Sequence, residues 1–222
     1  MIIAIDGPAA SGKSTVAKAV ARRLGIRHLD TGAMYRAVTW LALHEGVGIT
    51  DEDALARLAV AEPVEFRYAD GASIATAVYI GGHDVTAAVR FPEVDAAVSA
   101  VSAVGGVRSA LVARQREVSG EQDTVAEGRD IGTVVFPEAE VKVYLTASAE
   151  ERARRRKSDL AAQGHAVEQG EVQARLERRD TYDSTRAISP LEAAADATLV
   201  DTTGLDVEQV VDAIVALSEA AR

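Results

Sequence analysis

The run Gly7-Pro8-Ala9-Ala10-Ser11-Gly12-Lys13-Ser14, followed by Thr15, satisfies G-x-x-x-x-G-K-[ST], the spacing of a phosphate-binding loop. It lies between an apolar stretch, Ile2–Asp6, and a helical pattern from Lys13 to about Leu24, which is the context that motif requires. The glycines let backbone amides converge on a β-phosphate, and the start of a helix adds a favourable dipole. Lys13 suits the β- and γ-phosphates, and the Ser14 hydroxyl suits Mg²⁺. The loop alone does not separate a kinase from a GTPase or a motor ATPase. No NKxD-type guanine reader is present, and Asp201-Thr202-Thr203-Gly204 falls too late for a DxxG switch. It reads as a strand end and turn.

Transfer to a small anionic acceptor needs cations around the transferred group. If the acceptor is itself a phosphate, its oxygen is already anionic and no general base is needed, so catalysis rests on positioning and charge neutralisation. Three segments carry the right residue types. LDTGAMYR places Thr31, Tyr35 and Arg36 at the start of a helix. EGRDIGTVVFP places Arg129 and Asp130 at the C-terminal end of a buried strand, where ligands of α/β sheets bind. RRDTYDSTR places Arg179, Asp183 and Arg186 on one helix face by their i, i+4, i+7 spacing. The same residues admit plainer readings: a surface salt-bridge ladder for the third segment, a turn cap for Asp130, a packing residue for Tyr35.

Short extended segments alternate with helical ones along the chain. Strands are expected at 2–6, 28–30, in DTVAEG, in VKVYLTA and at 196–201. Helices are expected at 31–46, 51–61, 91–103, 106–118, 168–186 and 206–220, with Gly105-Gly106 as the break between the middle pair. Thr50 with Asp53, and Ser148 with Glu151, read as helix-start boxes. Between Pro63 and Asp84 the period becomes two, with Asp70-Gly71-Ala72 as a hairpin turn. The pattern predicts an α/β fold with a mostly parallel sheet covered on both faces, carrying a small lobe.

The 222 residues suffice for one such domain, and 48% hydrophobic content excludes disorder as the main state. Only 4% are aromatic, so the core must be aliphatic. A formal charge of −10 disfavours extended nucleic-acid binding. Of the 24 basic residues four are Lys and twenty Arg, a bias that weakens any argument from an Arg cluster alone. There is no cysteine, hence no disulfide or thiolate site, and the four His have no zinc-site spacing. No apolar run approaches the roughly 18 residues of a membrane span, and MIIAIDG is too short for a signal peptide. A cytoplasmic monomer is the expectation.

In this order the phosphate loop, LDTGAMYR, EGRDIGTVVFP and RDxxDxxR resemble the bacterial cytidylate kinase family, from Ile2 to about Leu217 and including the hairpin insert. The resemblance implies a P-loop core with a five-stranded parallel sheet (1–30, 119–149 and 171–222), a nucleoside-monophosphate lobe at 31–118 and a helical lid at 150–170. It implies Mg²⁺-dependent transfer from ATP to CMP and dCMP. ATP would meet 7–15, with Arg155 and Arg156, which together with Arg152 would belong to the lid closing over it. Lys13, Arg36, Arg129 and Arg179 would hold phosphate groups. Ser99, Arg108 and Asp130 would read the base, Asp183 with Arg179 the ribose, and Arg186, Thr31 and Tyr35 would border the acceptor.

The chemistry of these types agrees. Cytosine's amino group donates and suits Asp130, as carboxylates read cytosine elsewhere, while its O2 and N3 accept from Arg108 and Ser99. Uracil would leave Asp130 facing an acceptor, at a cost of about 1–3 kcal/mol. Ser99 would equally serve as an ordinary helix serine, and Arg154 to Lys157 as a solvated face. Two other functions stay open: a kinase for another small acceptor such as UMP, AMP or shikimate, and a P-loop regulator without transfer.

Overall fold

The computed structural model describes residues 1–162 and 164–222. In chain order its elements are β1 (Ile2–Asp6), α1 (Lys13–Leu24), β2 (Arg27–Asp30), α2 (Thr31–His44), α3 (Glu52–Ala61), β3 (Glu65–Tyr68), β4 (Ala75–Ile80), β5 (His83–Asp84), α4 (Pro92–Ala103), α5 (Gly105–Ser119), β6 (Thr124–Glu127), β7 (Val141–Thr146), α6 (Ala149–Ala162), α7 (Gln169–Thr185), β8 (Thr198–Asp201) and α8 (Val207–Ala220). The five parallel strands take the order β2-β6-β1-β7-β8, and the three antiparallel ones β3-β4-β5. The fold is α/β, as expected. Two compact units divide it: Met1 with Ala21–Glu127, and Ile2–Val20 with Gly128–Arg222.

In the first unit β2 and β6 pair in parallel, with Asp30 opposite Glu127. The core is aliphatic, with Leu29, Met34, Leu41, Leu55, Ile80 and Leu111 sealed from solvent, each worth about 1.5–3 kcal/mol of burial. Two buried polar links close the strand ends. His28 Nε2 donates to Glu127 Oε1 at 2.9 Å, and the Thr31 hydroxyl donates to the Glu127 carbonyl at 2.7 Å. Asp30 caps α2 by accepting from the Ala33 amide, so the LDTG turn is fixed on both sides of Thr31.

Three local expectations change here. The α3 cap is Asp51, which accepts from Ala54 N, so Thr50 stands outside and Asp53 lies within the helix. The hairpin gains a third strand, β5, because Gly81 and Gly82, both at positive φ, make a second tight turn. The break between α4 and α5 falls at Val104, whose extended backbone ends one helix and starts the next. Gly105 already opens α5, and Gly106 serves packing: a Cβ there would lie 2.4 Å from the Ala56 Cβ of α3.

In the second unit β1 pairs with β7, and β7 with β8. Ile3, Ile5 and Leu145 are fully buried, as near-continuous apolar strands of a parallel sheet should be. The Arg-rich α6 packs on α7 through Ala153, Val172 and Leu176. Its start departs from the expected reciprocal box: Ser148 Oγ accepts from Glu151 N, but the Glu151 carboxylate turns to Arg154 and Arg155. Those guanidiniums, Arg154 first, hold its carboxyl down at about 2. The α8 cap is a full box between Asp206 and Gln209.

The pattern did not foresee the wide helical turn at Ile131–Val135. There Val135 N donates to Asp130 O and Phe136 N to Ile131 O, an i→i+5 geometry found mostly at functional sites. Asp6, at the end of β1, holds this turn: Ile131 N and Gly132 N each donate to its carboxylate at 2.8 Å. The carboxyl is 4% exposed. Burial pushes it up to about 6 from its ordinary 3.8, the two amides pull back, Asp130 adds repulsion and Lys13 opposes it.

Two stability predictions follow from these contacts. Gly106→Ala gains helix propensity of roughly 1 kcal/mol, but the methyl meets a rigid helix neighbour far inside van der Waals contact. Thermal unfolding should therefore show a net loss of about 1–3 kcal/mol, several degrees of Tm; an unchanged or raised Tm would contradict the packing role. For Asp6, the native state retains a proton that the unfolded chain has released between about pH 4 and 6, so its term lowers stability as pH rises through that window. The shift from 3.8 to about 6 corresponds to roughly 3 kcal/mol. In urea unfolding, wild type should lose about that much relative to Asp6→Asn between pH 4 and 7, and a pH-independent gap would refute the assignment.

Candidate active site

The phosphate loop leaves β1 at Asp6 and enters α1 at Lys13. Gly7 stands at φ +146, and a Cβ there would lie 2.1 Å from the Leu145 carbonyl, so only glycine lets the chain turn against β7. Ala10 takes a positive φ of 60°, a conformation that costs a residue with a side chain about 1–2 kcal/mol. Pro8 and Ser11 are buried and Ser14 and Thr15 exposed. Lys13 Nζ donates to the Pro8 carbonyl at 2.6 Å, which keeps the ammonium over the loop. The loop is also tied to later segments. Ala9 N donates to Asp180 Oδ1 at 3.3 Å, and Arg155 Nη1 to the Ser11 carbonyl at 3.3 Å.

Arg129 and Asp130 lie between β6 and the wide turn. Arg129 Nε meets Asp183 Oδ2 at 2.9 Å, and its Nη1 lies 3.8 Å from Asp180. Arg179, one helical turn before Asp183, reaches the same carboxylate at 4.0 Å. Asp183 is buried, at 3% side-chain exposure, which excludes the surface-ladder reading: a carboxylate so desolvated must be paired. Asp130 is 4% exposed and receives the Val134 and Val135 amides on its own carbonyl. Arg186 donates through Nε to the Ser189 carbonyl at 2.5 Å.

In the first unit α2, α4 and α5 carry the other expected residues. Arg108 is buried and lies 5.3 Å from the centre of the Tyr35 ring. Its Nη1 donates to Ser102 O, and Ser102 Oγ donates to Ser99 O, so Ser99 and Arg108 are linked through one intervening serine. Arg36 donates to Asp95 at 2.6 Å. The Thr31 hydroxyl is committed to the Glu127 carbonyl, a role that holds the turn.

Among the arginines of α6, Arg155 is braced by Glu151 and donates to the Thr202 hydroxyl and carbonyl. Arg156 is half-buried. The expected lid range, 150–170, covers α6 and the start of α7, and Gln163 within it lies outside the described residues. Sequence reasoning missed Asp180, Asp6 and Thr202 as site residues, and placed Arg152 in the lid with Arg155 and Arg156 without foreseeing its carboxylate partner. Asp180 is a hub, since Arg152, Arg129 and the Ala9 amide all converge on it. Its signal was present, because it directly follows Arg179, but a carboxylate in a charged helix is unremarkable until its partners are known.

A pocket of about 350 Å³ in the second unit is lined by Pro8, Tyr144, Arg152, Asp180, Thr181 and Ser184 among others. It shares only Pro8 with the phosphate loop, and none of Lys13, Arg129, Asp130 or Asp183 lines it. Among the described residues no three His, Cys, Asp or Glu side chains group to hold a metal. A hard cation would therefore rely on the Ser14 hydroxyl, phosphate oxygens and water, which suits Mg²⁺. No single helix among the described residues is long and apolar enough to cross a membrane.

The cytidylate kinase family profile matches residues 3–220. The chain is 49% identical to a cytidylate kinase of Desulfitobacterium hafniense, covering 97% of this chain and 91% of that one. It is 48% identical to one of Pelotomaculum thermopropionicum, over 99% and 96%. A bifunctional pantoate ligase/cytidylate kinase of a Synechococcus strain is 51% identical over 97% of this chain, which spans 40% of that protein's length. Among solved structures, an uncharacterized protein from Eubacterium ventriosum superposes with a TM-score of 0.53 at 12% identity, covering 97% and 96% of the two chains, and speaks to the fold alone. The profile and the two near-full-length relatives carry the conclusion: this chain belongs to the cytidylate kinase family.

Proposed function

We propose that this chain transfers the γ-phosphoryl group of ATP to the 5′-phosphate of CMP and dCMP. An acceptor phosphate oxygen attacks the γ-phosphorus, the bond to the β–γ bridging oxygen breaks, and ADP leaves beside CDP or dCDP. Both reacting groups are anionic throughout, so the protein's task is to neutralise charge and align the groups. Lys13 sits on the donor phosphates, and Arg36, Arg129 and Arg179 take the acceptor phosphate and the transferred group. The Ser14 hydroxyl would hold Mg²⁺, which would supply further charge neutralisation to the donor phosphates. The loop 7–15 cradles ATP together with Arg155 and Arg156.

The observation that carries the base assignment is the buried Asp130 carboxylate beside an Arg129 lashed to buried Asp183. A carboxylate is an acceptor, and it suits a donor such as the cytosine amine. Arg108 and Ser99 suit cytosine O2 and N3. Asp183, already shared by Arg129 and Arg179, accepts from the ribose hydroxyls, with Arg186 near the base. Thr31 and Tyr35 border the acceptor. Closure of 150–170 over ATP would exclude water, a competing acceptor. The reading takes the protein as a cytoplasmic monomer without a nucleic-acid partner.

ADP release from MgATP with CMP, dCMP, UMP, AMP, GMP or shikimate, each against a no-acceptor control, tests this. Turnover should be strongest with CMP and dCMP. Asp130→Asn should erode the CMP-over-UMP preference about tenfold or more, and Lys13→Met should lower kcat by roughly a hundredfold or more. Another preferred acceptor would overturn the base assignment, and ATP binding without acceptor-dependent release would make the chain a regulator.

A further inference from the structure

Arg36, assigned above to the acceptor phosphate, is already occupied by the protein's own groups. Its Nη2 donates to Asp95 Oδ1 at 2.6 Å, and its Nη1 to the Val89 carbonyl at 3.5 Å. Those two terminal nitrogens form one edge of the fork by which a guanidinium takes two phosphate oxygens. One is held by a full negative charge, the other by a weak, long contact.

The pair has the features of an exchangeable contact. Arg36 and Asp95 are 22% and 30% exposed, a range in which an ion pair contributes little net stability. Asp95 lies in the first turn of α4. If Arg36 leaves, the carboxylate stays in reach of water and near the positive end of that helix's dipole, so release is inexpensive. A dianionic phosphate arriving at Arg36 beside Asp95 would meet like charge at short range. It must displace the carboxylate or bind against its repulsion. Ser99 stands four residues further on the same face of α4, so the helix bearing this competitor also bears a residue assigned to the base.

We infer that Asp95 is a resident anion on Arg36 that competes with the acceptor's phosphate and so sets how tightly that phosphate is held. A bare phosphate ion has only its charge to set against this competitor. A nucleotide also brings its base and ribose contacts, and that extra binding energy completes the exchange. The inference rests on the reading of Arg36 as a phosphate ligand.

The test uses the full-length protein at saturating MgATP, with CMP varied and inorganic phosphate as competitor. Asp95→Asn should lower the KM for CMP about threefold, the scale set by a part-exposed ion pair, and should strengthen inhibition by inorganic phosphate at least as much. Asp95→Glu, which keeps the charge, should move both values back towards wild type, and Asp95→Ser gives the same reading as the Asn variant should that one fold poorly. A raised KM for CMP with unchanged phosphate inhibition would overturn the inference, making Asp95 a strut that aims Arg36. No change in either quantity would overturn it too. Arg36→Met separates the underlying assignment: if it leaves the KM for CMP unmoved, Arg36 is not a phosphate ligand, whatever the Asp95 variants do.

Discussion

A single desolvated carboxylate sets the geometry of the second unit's site. Asp6 ends the buried strand β1 just before the phosphate loop, and its two oxygens take the Ile131 and Gly132 amides. One side chain thus fixes the origin of the donor loop relative to the turn that follows Arg129 and Asp130. The arrangement is held against a cost, since burial raises the carboxyl to about 6, and two amide donors with Lys13 nearby are what keep it ionised at neutral pH. The wide turn at 131–135 is the other half of the bargain. The Ile131 and Gly132 amides open the turn, where a helical segment has no acceptor of its own to offer them, and Asp6 supplies one.

In each unit, arginines proposed to meet phosphates are held on carboxylates. In the second unit Arg129 rests on Asp183, and Arg152 on Asp180. In the first unit Arg36 rests on Asp95. A guanidinium kept near low-dielectric surroundings without a partner would be costly, and one left on a free side chain would lose more entropy on binding. Pairing avoids both.

Much of this was legible in the sequence, for reasons that can be named. The strand–loop–helix around Lys13 is local: an apolar run, a glycine-rich turn and a 3.6-residue pattern fix it without knowledge of the rest. The spacing of Arg179 and Asp183 likewise placed them on one face. What escaped depends on distant partners. Asp6 looked like the polar end of a strand until residues 131 and 132 met it. Asp180 looked like one more charge on a solvated helix until Ala9, Arg129 and Arg152 converged on it. Gly106 looked like a break because glycine's weak helix propensity is visible in sequence, while the approach of Ala56 is not. The wide turn had no signal, since IGTVV reads as readily as a short strand.

The central claim is that Asp130 reads cytosine while the arginines take its phosphate. A crystal structure of the protein with CMP bound tests it most directly. The account predicts the Asp130 carboxylate within hydrogen-bonding distance of the cytosine amino nitrogen, the Asp183 carboxylate on the ribose hydroxyls, and Arg36 and Arg129 on the phosphate. A cytosine ring whose amino group is met by other residues and not by Asp130 would contradict it.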